Sequence, residues 1–351
     1  MRNALLAFAF VALSARAAVP TPKAPPGFRV EVFAEKVDGA RSLALSPGGW
    51  LFVGTRDDRV YAIDTNAKER LVRVVAKGLE KPNGVAVKDG NLYVAEISRI
   101  RVFENIEAQL KGTEFRSSVL TDKYPTDGHH GWKFIRFGPD GGLYVPVGAP
   151  CNVCERPDPY ASITRFDLKT KTFRVVARGV RNTVGFDWDA NGKLWFTENG
   201  RDLMGDDVPP CEINRLDKEG AHFGFPACHG ANVSDPRYGP RGKCADFVAP
   251  RYELQAHSAP LGLRFYRGSS FPEKYRKGAF FAEHGSWNRS KKVGYRVQFF
   301  SENSKPEVFL DGFLSGEKTL GRPVDVEFLS DGSMLVSDDY GDRIWRVRHA
   351  P

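Results

Sequence analysis

A hairpin pattern that recurs six times constrains the fold of this chain more than any other feature. Each copy has a short alternating strand, a turn, and a glycine followed by a second, more apolar strand. The glycines that open the second strands are Gly49, Gly90, Gly142, Gly192, Gly278 and Gly332. Most of them lie roughly 40 to 55 residues apart, which is typical of propeller blades built from four strands. We therefore predict an all-β fold, a six-bladed β-propeller with four-stranded antiparallel blades.

The two ends of the chain are expected to close the ring. Residues 28–33 are typical of a strand that precedes the first repeat, and residues 344–347 of the last strand of the sixth. Pairing the two strands would remove an exposed sheet edge. The N-terminal strand is thus predicted to complete the last blade.

One interval between repeats is longer than the others and indicates an insertion at about residues 199–258. This insertion is rich in glycine and proline and holds three of the five cysteines. Residues 18–351 are predicted to form a single propeller domain that includes it. The only helical signal is one short turn within residues 105–111.

The first 17 residues are typical of an export signal. Arg2 supplies a positive charge, residues 5–13 are apolar, and Ala15-Arg16-Ala17 matches a small-residue cleavage site. The apolar run is shorter than the roughly 20 residues that cross a membrane. We expect a secreted or periplasmic protein without a membrane span.

The formal net charge of +8 is modest for 351 residues, and the basic residues are spread along the chain. No basic cluster with interleaved aromatic residues occurs, so nucleic acid is not an expected partner. The charge fits a small anionic ligand, an acidic partner, or solubility alone.

The five cysteines are expected to form two disulfides and leave one thiol free in an oxidising compartment. The sequence leaves the pairing open. Our working guess pairs Cys228 with Cys244 and Cys151 with Cys154, and leaves Cys211 free. Glu155 stands where a c-type haem-attachment motif needs histidine, so haem attachment is excluded, and structural roles are favoured over a zinc site.

Three polar segments lie at equivalent places, directly before the inner strands of the third, fourth and sixth repeats. They contain His129 and His130, then Arg181 and Asn182, then Arg322. Residues at matched positions converge on the axis of a propeller, where two arginines and a histidine suit a ligand with several carboxylates. A histidine there can act as a general base. The alternative is that one histidine caps a turn and the other is solvated.

Two loops add further candidates. Residues 197–214, after the fourth repeat, are rich in carboxylates and glycines, and such hard oxygen donors suit Ca²⁺, although a solvated acidic loop is the alternative. Residues 283–290, after the fifth repeat, mix polar and aromatic side chains as binding loops do.

With these motifs in order, the chain resembles the soluble pyrroloquinoline-quinone (PQQ) dependent sugar dehydrogenases, specifically their glucose/sorbosone dehydrogenase branch. The resemblance covers nearly all of residues 18–351. Its motifs are His130-Gly131-Trp132-Lys133, Gly138-Pro139-Asp140-Gly141, Gly179-Val180-Arg181-Asn182, Thr197-Glu198-Asn199-Gly200, Glu212-Ile213-Asn214, His222-Phe223-Gly224-Phe225-Pro226 and Gly321-Arg322-Pro323-Val324. Each motif is short, and their order and registration to the repeats make the match specific.

The resemblance implies a propeller with PQQ and Ca²⁺ at its mouth. It implies that His130 is the catalytic base, that Arg181 and Asn182 hold PQQ and polarise its reactive carbonyl, and that Arg322 pairs with PQQ carboxylates. His129 takes the place of an acidic residue beside the base, and is counted with the cofactor site.

The same resemblance implies two metal sites. The backbone carbonyls of Gly200 and Arg201 match positions that hold the cofactor Ca²⁺. Glu212, with the carbonyl of Phe223, matches a second, structural Ca²⁺ site of some relatives.

The chain departs from the family pattern at three places. Val324 stands where relatives have a second arginine, and Pro82 appears where they have a glutamine before the second blade. Their cofactor-binding lysine after the fifth blade has no clear match; Arg289 or Lys291 could replace it, and we prefer Arg289. These departures put glucose itself in doubt as the substrate.

The predicted function is a PQQ- and Ca²⁺-dependent periplasmic dehydrogenase for a sugar, or for a sugar-derived aldehyde such as sorbosone. His130 would take the proton from the C1 hydroxyl or an aldehyde hydrate, while hydride passes to PQQ. Electrons would then leave to an external acceptor, a quinone or a cytochrome. Two other functions stay open: a Ca²⁺-dependent lactonase on the same ring, and a non-catalytic propeller that binds a protein or a glycan.

Overall fold

Six β-sheets surround a central axis, so the six-bladed propeller predicted from the repeat is confirmed. The computed structural model describes residues 20–350. The expected export signal falls within residues 1–19 and lies outside the described residues. Around the axis, the innermost strands contact each other between the first and second blades, the second and third, the fourth and fifth, the fifth and sixth, and the sixth and first.

The strands follow one another in chain order. β1 (Phe28–Glu35) comes first. Blade 1 contains β2 (Ala40–Leu45), β3 (Trp50–Thr55), β4 (Val60–Asp64) and β5 (Val72–Ala76). Blade 2 contains β6 (Gly84–Lys88), β7 (Asn91–Ala95), β8 (Ile100–Phe103) and β9 (Ser118–Thr121), with the short helix α1 (Ile106–Gln109) before β9. Blade 3 contains β10 (Arg136–Phe137), β11 (Leu143–Val147), β12 (Ser162–Asp167) and β13 (Thr172–Arg178).

The second half of the chain repeats this arrangement. Blade 4 contains β14 (Phe186–Trp188), β15 (Leu194–Glu198), β16 (Cys211–Leu216) and, further along the chain, β20 (Tyr252–Leu254). Between them lie β17 (Ala221–His222), β18 (Cys228–His229) and β19 (Val233–Ser234). Blade 5 contains β21 (Pro260–Phe265), β22 (Gly278–Glu283), β23 (Arg296–Ser301) and β24 (Glu307–Leu310). The small hairpin of β25 (Leu314–Ser315) and β26 (Lys318–Thr319) precedes blade 6, which contains β27 (Pro323–Phe328), β28 (Met334–Asp338) and β29 (Arg343–His349).

The first strand closes the ring as predicted. β1 pairs antiparallel with β29, with Phe28 opposite His349 and Val32 opposite Trp345. The last blade is therefore built from both ends of the chain, and the edge of β29 is covered.

Apolar side chains on the faces of the blades fill the spaces between them. Six hydrophobic clusters are present among the described residues, one at each junction of neighbouring blades. The junction of blades 5 and 6 is the most aromatic, with Phe271, Phe280 and Phe309 fully buried. Burial of apolar side chains contributes the main favourable part of the folding free energy. Because every junction between blades buries such side chains, apolar strands recur in each repeat of the sequence.

The repeated glycine reflects the turn between the first two strands of a blade. Gly49, Gly90, Gly192 and Gly332 have φ values between 74° and 86°, in the left-handed region that L-residues with a Cβ rarely adopt. In blade 3 the preceding Gly141 takes this conformation with φ 73°. The tight turn thus requires glycine at nearly the same place in each of these five blades.

Residues 199–258 contribute to two blades. The part between β16 and β20, residues 217–251, forms a long excursion from blade 4. Residues 199–258 supply β16 and β20 to blade 4, and β17 pairs in parallel with β13 as a fifth strand of blade 3. Five blades therefore have four strands, and blade 3 differs from the expected number because the excursion returns along its outer edge.

Both guessed disulfides are present, Cys151–Cys154 and Cys228–Cys244, and Cys211 is a free, buried cysteine. The first disulfide lies in the loop between β11 and β12. The second closes the excursion between β18 and a 3-10 helix at Cys244–Asp246.

Candidate functional site

A cavity of about 340 Å³ lies at the end of the axis where the inner strands begin. Its lining includes Arg41, His130, Arg181, Asn182, His284 and Arg322. Several blades or their leading loops thus contribute polar side chains to one place. The volume lies in the range of small-molecule sites.

His130 is held in one orientation by the loop after β11. Its Nδ1 lies 2.8 Å from the carbonyl oxygen of Ala149. A carbonyl only accepts, so Nδ1 carries the proton and Nε2 keeps its lone pair. Burial, followed by the positive charges of Arg181 and His129, lowers the pKa of His130 to about 2. The ring is therefore uncharged in the cavity wall at any physiological pH.

The backbone around His130 is tight. His130 has a left-handed φ of 51°, and a Cβ added to Gly148 would lie 2.5 Å from the Cβ of His130. Because glycine has no Cβ, residue 148 can approach His130 without a steric clash.

Arg181 is 3% exposed and has an acceptor for each of its five N–H groups. Nε donates to the carbonyl of Asn152 at 2.8 Å, and one terminal nitrogen donates to the carbonyls of Asn199 and Gly200 at 3.1 and 3.0 Å. The other terminal nitrogen donates to Asn152 Oδ1 at 3.0 Å and Asp202 Oδ2 at 3.1 Å. The expected cofactor arginine thus lines the cavity, but its donors are turned to the surrounding loops.

Arg322 and Arg41 present free donors instead. Arg322 donates through Nε and Nη2 to the carbonyls of His284 and Gly285, and Arg41 donates through Nε and Nη1 to Asn83 and Asp339. Within residues 20–350, Nη1 of Arg322 and Nη2 of Arg41 form no hydrogen bond. Two guanidinium groups with one free nitrogen each suit a ligand that carries more than one carboxylate.

His284 and Asp339 complete the wall beside these arginines. His284 Nε2 lies 2.8 Å from Asp339 Oδ1, and Arg41 Nη1 lies 2.9 Å from Asp339 Oδ2. Burial lowers the pKa of His284 to about 4, although Asp339 opposes this shift. His284 is therefore neutral at pH 7, and the Arg41 charge is balanced behind the cavity rather than within it.

The other predicted cofactor residues are divided by the structure. Asn182 is half-buried and lines the cavity. His129 is exposed at the rim, with its ring centroid 4.1 Å from that of His130. Arg289 does not line the cavity, because it donates to the carbonyl of Asp206 and, at 2.7 Å, to Asp207 Oδ1.

The four predicted metal residues make other contacts in the structure, and their metal-binding role stays a prediction. The carbonyl of Gly200 accepts from Arg181, and Arg201 donates to Asp235 Oδ2 at 2.5 Å. Both carboxylate oxygens of Glu212 are engaged, by Gly230 N at 2.6 Å and Asn214 Nδ2 at 2.8 Å. Phe223 is 5% exposed, in the cluster between blades 3 and 4. No group of three or more His, Cys, Asp and Glu residues suited to a metal occurs in residues 20–350.

Two departures from the family pattern have structural counterparts. Val324 is 2% exposed and packs with Val184 and Leu261, which line the cavity, so it supports an apolar floor where the family pattern has a second arginine. Pro82 does not line the cavity; its carbonyl accepts from Thr55 N at 3.0 Å.

Sequence reasoning missed Arg41. Arg41 is the second residue of β2, inside the first inner strand, whereas Arg181 and Arg322 precede their inner strands. It also missed Trp132, which lies under the Arg41 guanidinium with 4.9 Å between the Arg41 Cζ and the ring centroid. Asp202 and His257, which also line the cavity, come from residues 199–258, and no spacing rule indicates their position.

Comparison with known proteins identifies the family. The glucose/sorbosone dehydrogenase profile matches residues 87–284, and a TrAA12-like profile matches residues 234–350. The chain belongs to the glucose/sorbosone dehydrogenase family, as the sequence motifs suggested. A protein of Borreliella burgdorferi (strain B31), described as an uncharacterized protein, is 36% identical over 96% of this chain and 93% of its own length.

Solved structures share the fold along nearly the whole chain. The holo form of the pyranose dehydrogenase PQQ domain from Coprinopsis cinerea has a TM-score of 0.79 at 18% identity, covering 96% of this chain and 99% of that chain. The iodide structure of the Trichoderma reesei family AA12 enzyme has 0.77 at 19%, with the same coverage. The PQQ-bound aldose sugar dehydrogenase from Streptomyces coelicolor has 0.67 at 18%, covering 93% and 99%. Within residues 20–350, no helix is long and apolar enough to cross a membrane.

Proposed function

We propose that this protein is a PQQ-dependent dehydrogenase that oxidises a sugar, or a sugar-derived aldehyde such as sorbosone. The observation that carries the proposal is His130, a neutral histidine with a fixed tautomer in the wall of a cavity that also presents the free guanidinium donors of Arg41 and Arg322. A base beside an anion-binding wall is what oxidation of a hydroxyl by a carboxylated cofactor requires. The relatives named as PQQ-bound or PQQ domains support the choice of cofactor.

The residues present fit PQQ. Arg41 and Arg322 would hold its carboxylates, Asn182 would add a donor and an acceptor, and Val184 and Leu261 give an apolar floor for a flat ring system. When bound, PQQ supplies the acceptor for hydride. His130 Nε2 would take the proton of the substrate hydroxyl, and the Nδ1–H bond to Ala149 would hold the resulting charged ring in place.

Ca²⁺ fits less well in the arrangement described. The oxygen donors that suit it, the carbonyls of Asn199 and Gly200 and Oδ2 of Asp202, each accept a hydrogen bond from the Arg181 guanidinium. Both carboxylate oxygens of Glu212 already accept hydrogen bonds from Asn214 and Gly230. We therefore keep Ca²⁺ as a second cofactor to be tested by addition, and assign it no step.

The proposed setting is outside the cytoplasm. Two disulfides within the described residues suit an oxidising compartment. Electrons stored by the cofactor would pass to a separate acceptor, a quinone or a cytochrome.

Titration of the purified protein with PQQ, with and without Ca²⁺, tests the proposal. We expect a change in the PQQ absorbance spectrum, an increase in melting temperature that grows with ligand concentration, and dye-linked oxidation of aldoses. Absence of both the spectral change and the stabilisation would favour a binding module without PQQ. Hydrolysis of lactones without any PQQ would favour a lactonase.

The close approach of Gly148 to His130 gives a second prediction. We expect Gly148→Ala to displace His130 and to lower the turnover of the proposed reaction by about ten-fold or more, at a cost of about 1–3 kcal/mol in stability. Dye-linked oxidation assays and urea denaturation would measure the two effects. Gly112→Ala is the matched control, because its nearest contact would be an ordinary 3.7 Å. Equal activity of the two variants would contradict this constraint.

The pH profile of the unaltered enzyme follows from the burial of His130. Because its pKa is lowered to about 2, the free imidazole is the major form throughout the range from pH 5 to 8. We expect no inflection in kcat/KM from protonation of His130 in the free enzyme over that range. An acidic limb near pH 6.5 that disappears in His130→Asn would show that the ring is solvated rather than buried.

A further inference from the structure

A four-residue segment behind the cavity holds Arg181 in the position described above. It lies in the loop between β11 and β12, which has no regular secondary structure over residues 148–161. The Cys151–Cys154 disulfide closes a small ring in this loop, and Asn152 lies inside that ring. We call residues 151–154 the disulfide ring.

Asn152 uses its backbone carbonyl and both ends of its side chain to join two loops. Its carbonyl and its Oδ1 accept from Arg181 Nε and Nη2, at 2.8 and 3.0 Å. Its Oδ1 also accepts from Asp202 N at 2.8 Å, and its Nδ2 donates to the carbonyl of Asp202 at 3.0 Å. The side chain therefore ties a loop of blade 3 to the loop after β15, with Arg181 enclosed between them.

The same loop is in contact with the proposed base. The carbonyl of Ala149 holds His130 Nδ1, and Ala149 N donates to the carbonyl of Arg181 at 2.8 Å. Residues 149–152 thus contact both the base and the arginine, although Asn152 itself does not line the cavity.

We propose that Asn152, held by the Cys151–Cys154 disulfide, is a positioning residue that fixes the direction of Arg181 and Asp202 in the cavity wall. A buried guanidinium with five acceptors stays in one rotamer only while those acceptors are themselves ordered. In a loop without regular secondary structure, the backbone around Asn152 would keep conformational freedom. The Cys151–Cys154 disulfide reduces that freedom. Because the closed ring has only four residues, its effect on global stability is small and its local effect dominates.

Labelling of arginines with phenylglyoxal, quantified by peptide mass spectrometry, tests this without any cofactor. In the unaltered protein Arg181 and Arg264, 3% and 2% exposed, are both expected to be protected. Asn152→Ala and the double variant Cys151→Ser/Cys154→Ser should each label Arg181 about ten-fold faster, while Arg264 stays protected. Asn152→Asp keeps the acceptor for Arg181, and should retain most of the protection.

The two changes should not add. If the disulfide acts through Asn152, adding Asn152→Ala to the disulfide-free protein should raise Arg181 labelling by less than about two-fold. The matched control is Cys228→Ser/Cys244→Ser, which removes the other disulfide and should leave Arg181 protected. Continued protection of Arg181 in the first two variants, equal labelling of Arg264, or additive effects would each overturn the proposal.

A second measurement connects the role of Asn152 to the proposed function. The consequence of this role for the reaction rests on the proposed function, whereas the role itself does not. The affinity for PQQ, measured by absorbance titration, should fall about ten-fold in Asn152→Ala and remain within about three-fold of the original in Asn152→Asp. If PQQ binds neither variant nor the unaltered protein, the proposed function fails, and the labelling result still decides the role of Asn152. If PQQ binds and Asn152→Ala affects neither affinity nor labelling, the inference alone fails.

Discussion

Replacing His130 with asparagine should reduce the kcat of PQQ-dependent sugar oxidation by about a thousand-fold, the middle of the range for loss of a general base. Asparagine is chosen for two reasons. Its side-chain amide can replace Nδ1–H as the donor to Ala149, and it tolerates the left-handed φ of 51° better than alanine does. Stopped-flow or steady-state assays with an artificial electron acceptor would measure the loss.

The affinity for PQQ should change little in the His130→Asn variant, because the loss concerns proton transfer. His349→Asn is the matched control, since His349 ends β29, packs against Phe28 and should leave kcat unchanged. Retention of more than about a tenth of the original kcat in His130→Asn would contradict the role of His130 as base, given the loss expected for a general base.

Replacing Arg322 with methionine should weaken PQQ binding by about a hundred-fold, equivalent to about 3 kcal/mol. The variant removes a charged donor that faces the cavity, while the methionine can keep the contact with the Tyr295 ring, whose centroid lies 5.5 Å from the Arg322 Cζ. Absorbance titration measures the dissociation constant, and kcat at saturating PQQ should change less than the affinity does.

The variant Arg289→Met distinguishes the role that the family pattern predicts for Arg289 from the contacts that the structure shows. The pattern makes Arg289 a substitute for a cofactor-binding lysine, whereas the structure turns its guanidinium to Asp206 and Asp207. We expect an effect on PQQ affinity below about three-fold, since the lost contacts are made outside the cavity. An effect as large as that of Arg322→Met would restore Arg289 to the cofactor site.

Much of the cavity could be predicted because propeller geometry converts sequence register into spatial position. His130, Arg181 and Arg322 lie just before inner strands, so they meet at one end of the axis whatever their separation in sequence. The same rule does not find Arg41, because this residue lies inside the first inner strand and not before it. Arg289 was assigned from the family resemblance and not from register, and its guanidinium contacts Asp206 and Asp207 in the structure.

The metal residues illustrate a different limit. The residue type does not show whether a backbone carbonyl such as that of Gly200 can bind a metal ion. That depends on which hydrogen-bond donor lies nearest to the carbonyl. Here the nearest donor is Arg181, a guanidinium whose rotamer is set by Asn152 in another blade's loop. Motif matching assigns Arg181 to the PQQ site and Gly200 to the cofactor Ca²⁺. It does not reveal that these two residues form a hydrogen bond with each other.

The sequence by itself determined the architecture, the closure by the first strand and the end of the axis at which polar side chains meet. These follow from local rules: alternation of apolar residues, glycine in the left-handed region of a tight turn, and a repeat that brings equivalent positions together. Only the tertiary structure decided which arginines present free donors, which histidine tautomer is held, and that Asp202 and Asn152 surround Arg181. Those features depend on hydrogen bonds between loops of different blades, whose partners are set by packing and not by neighbours in the chain.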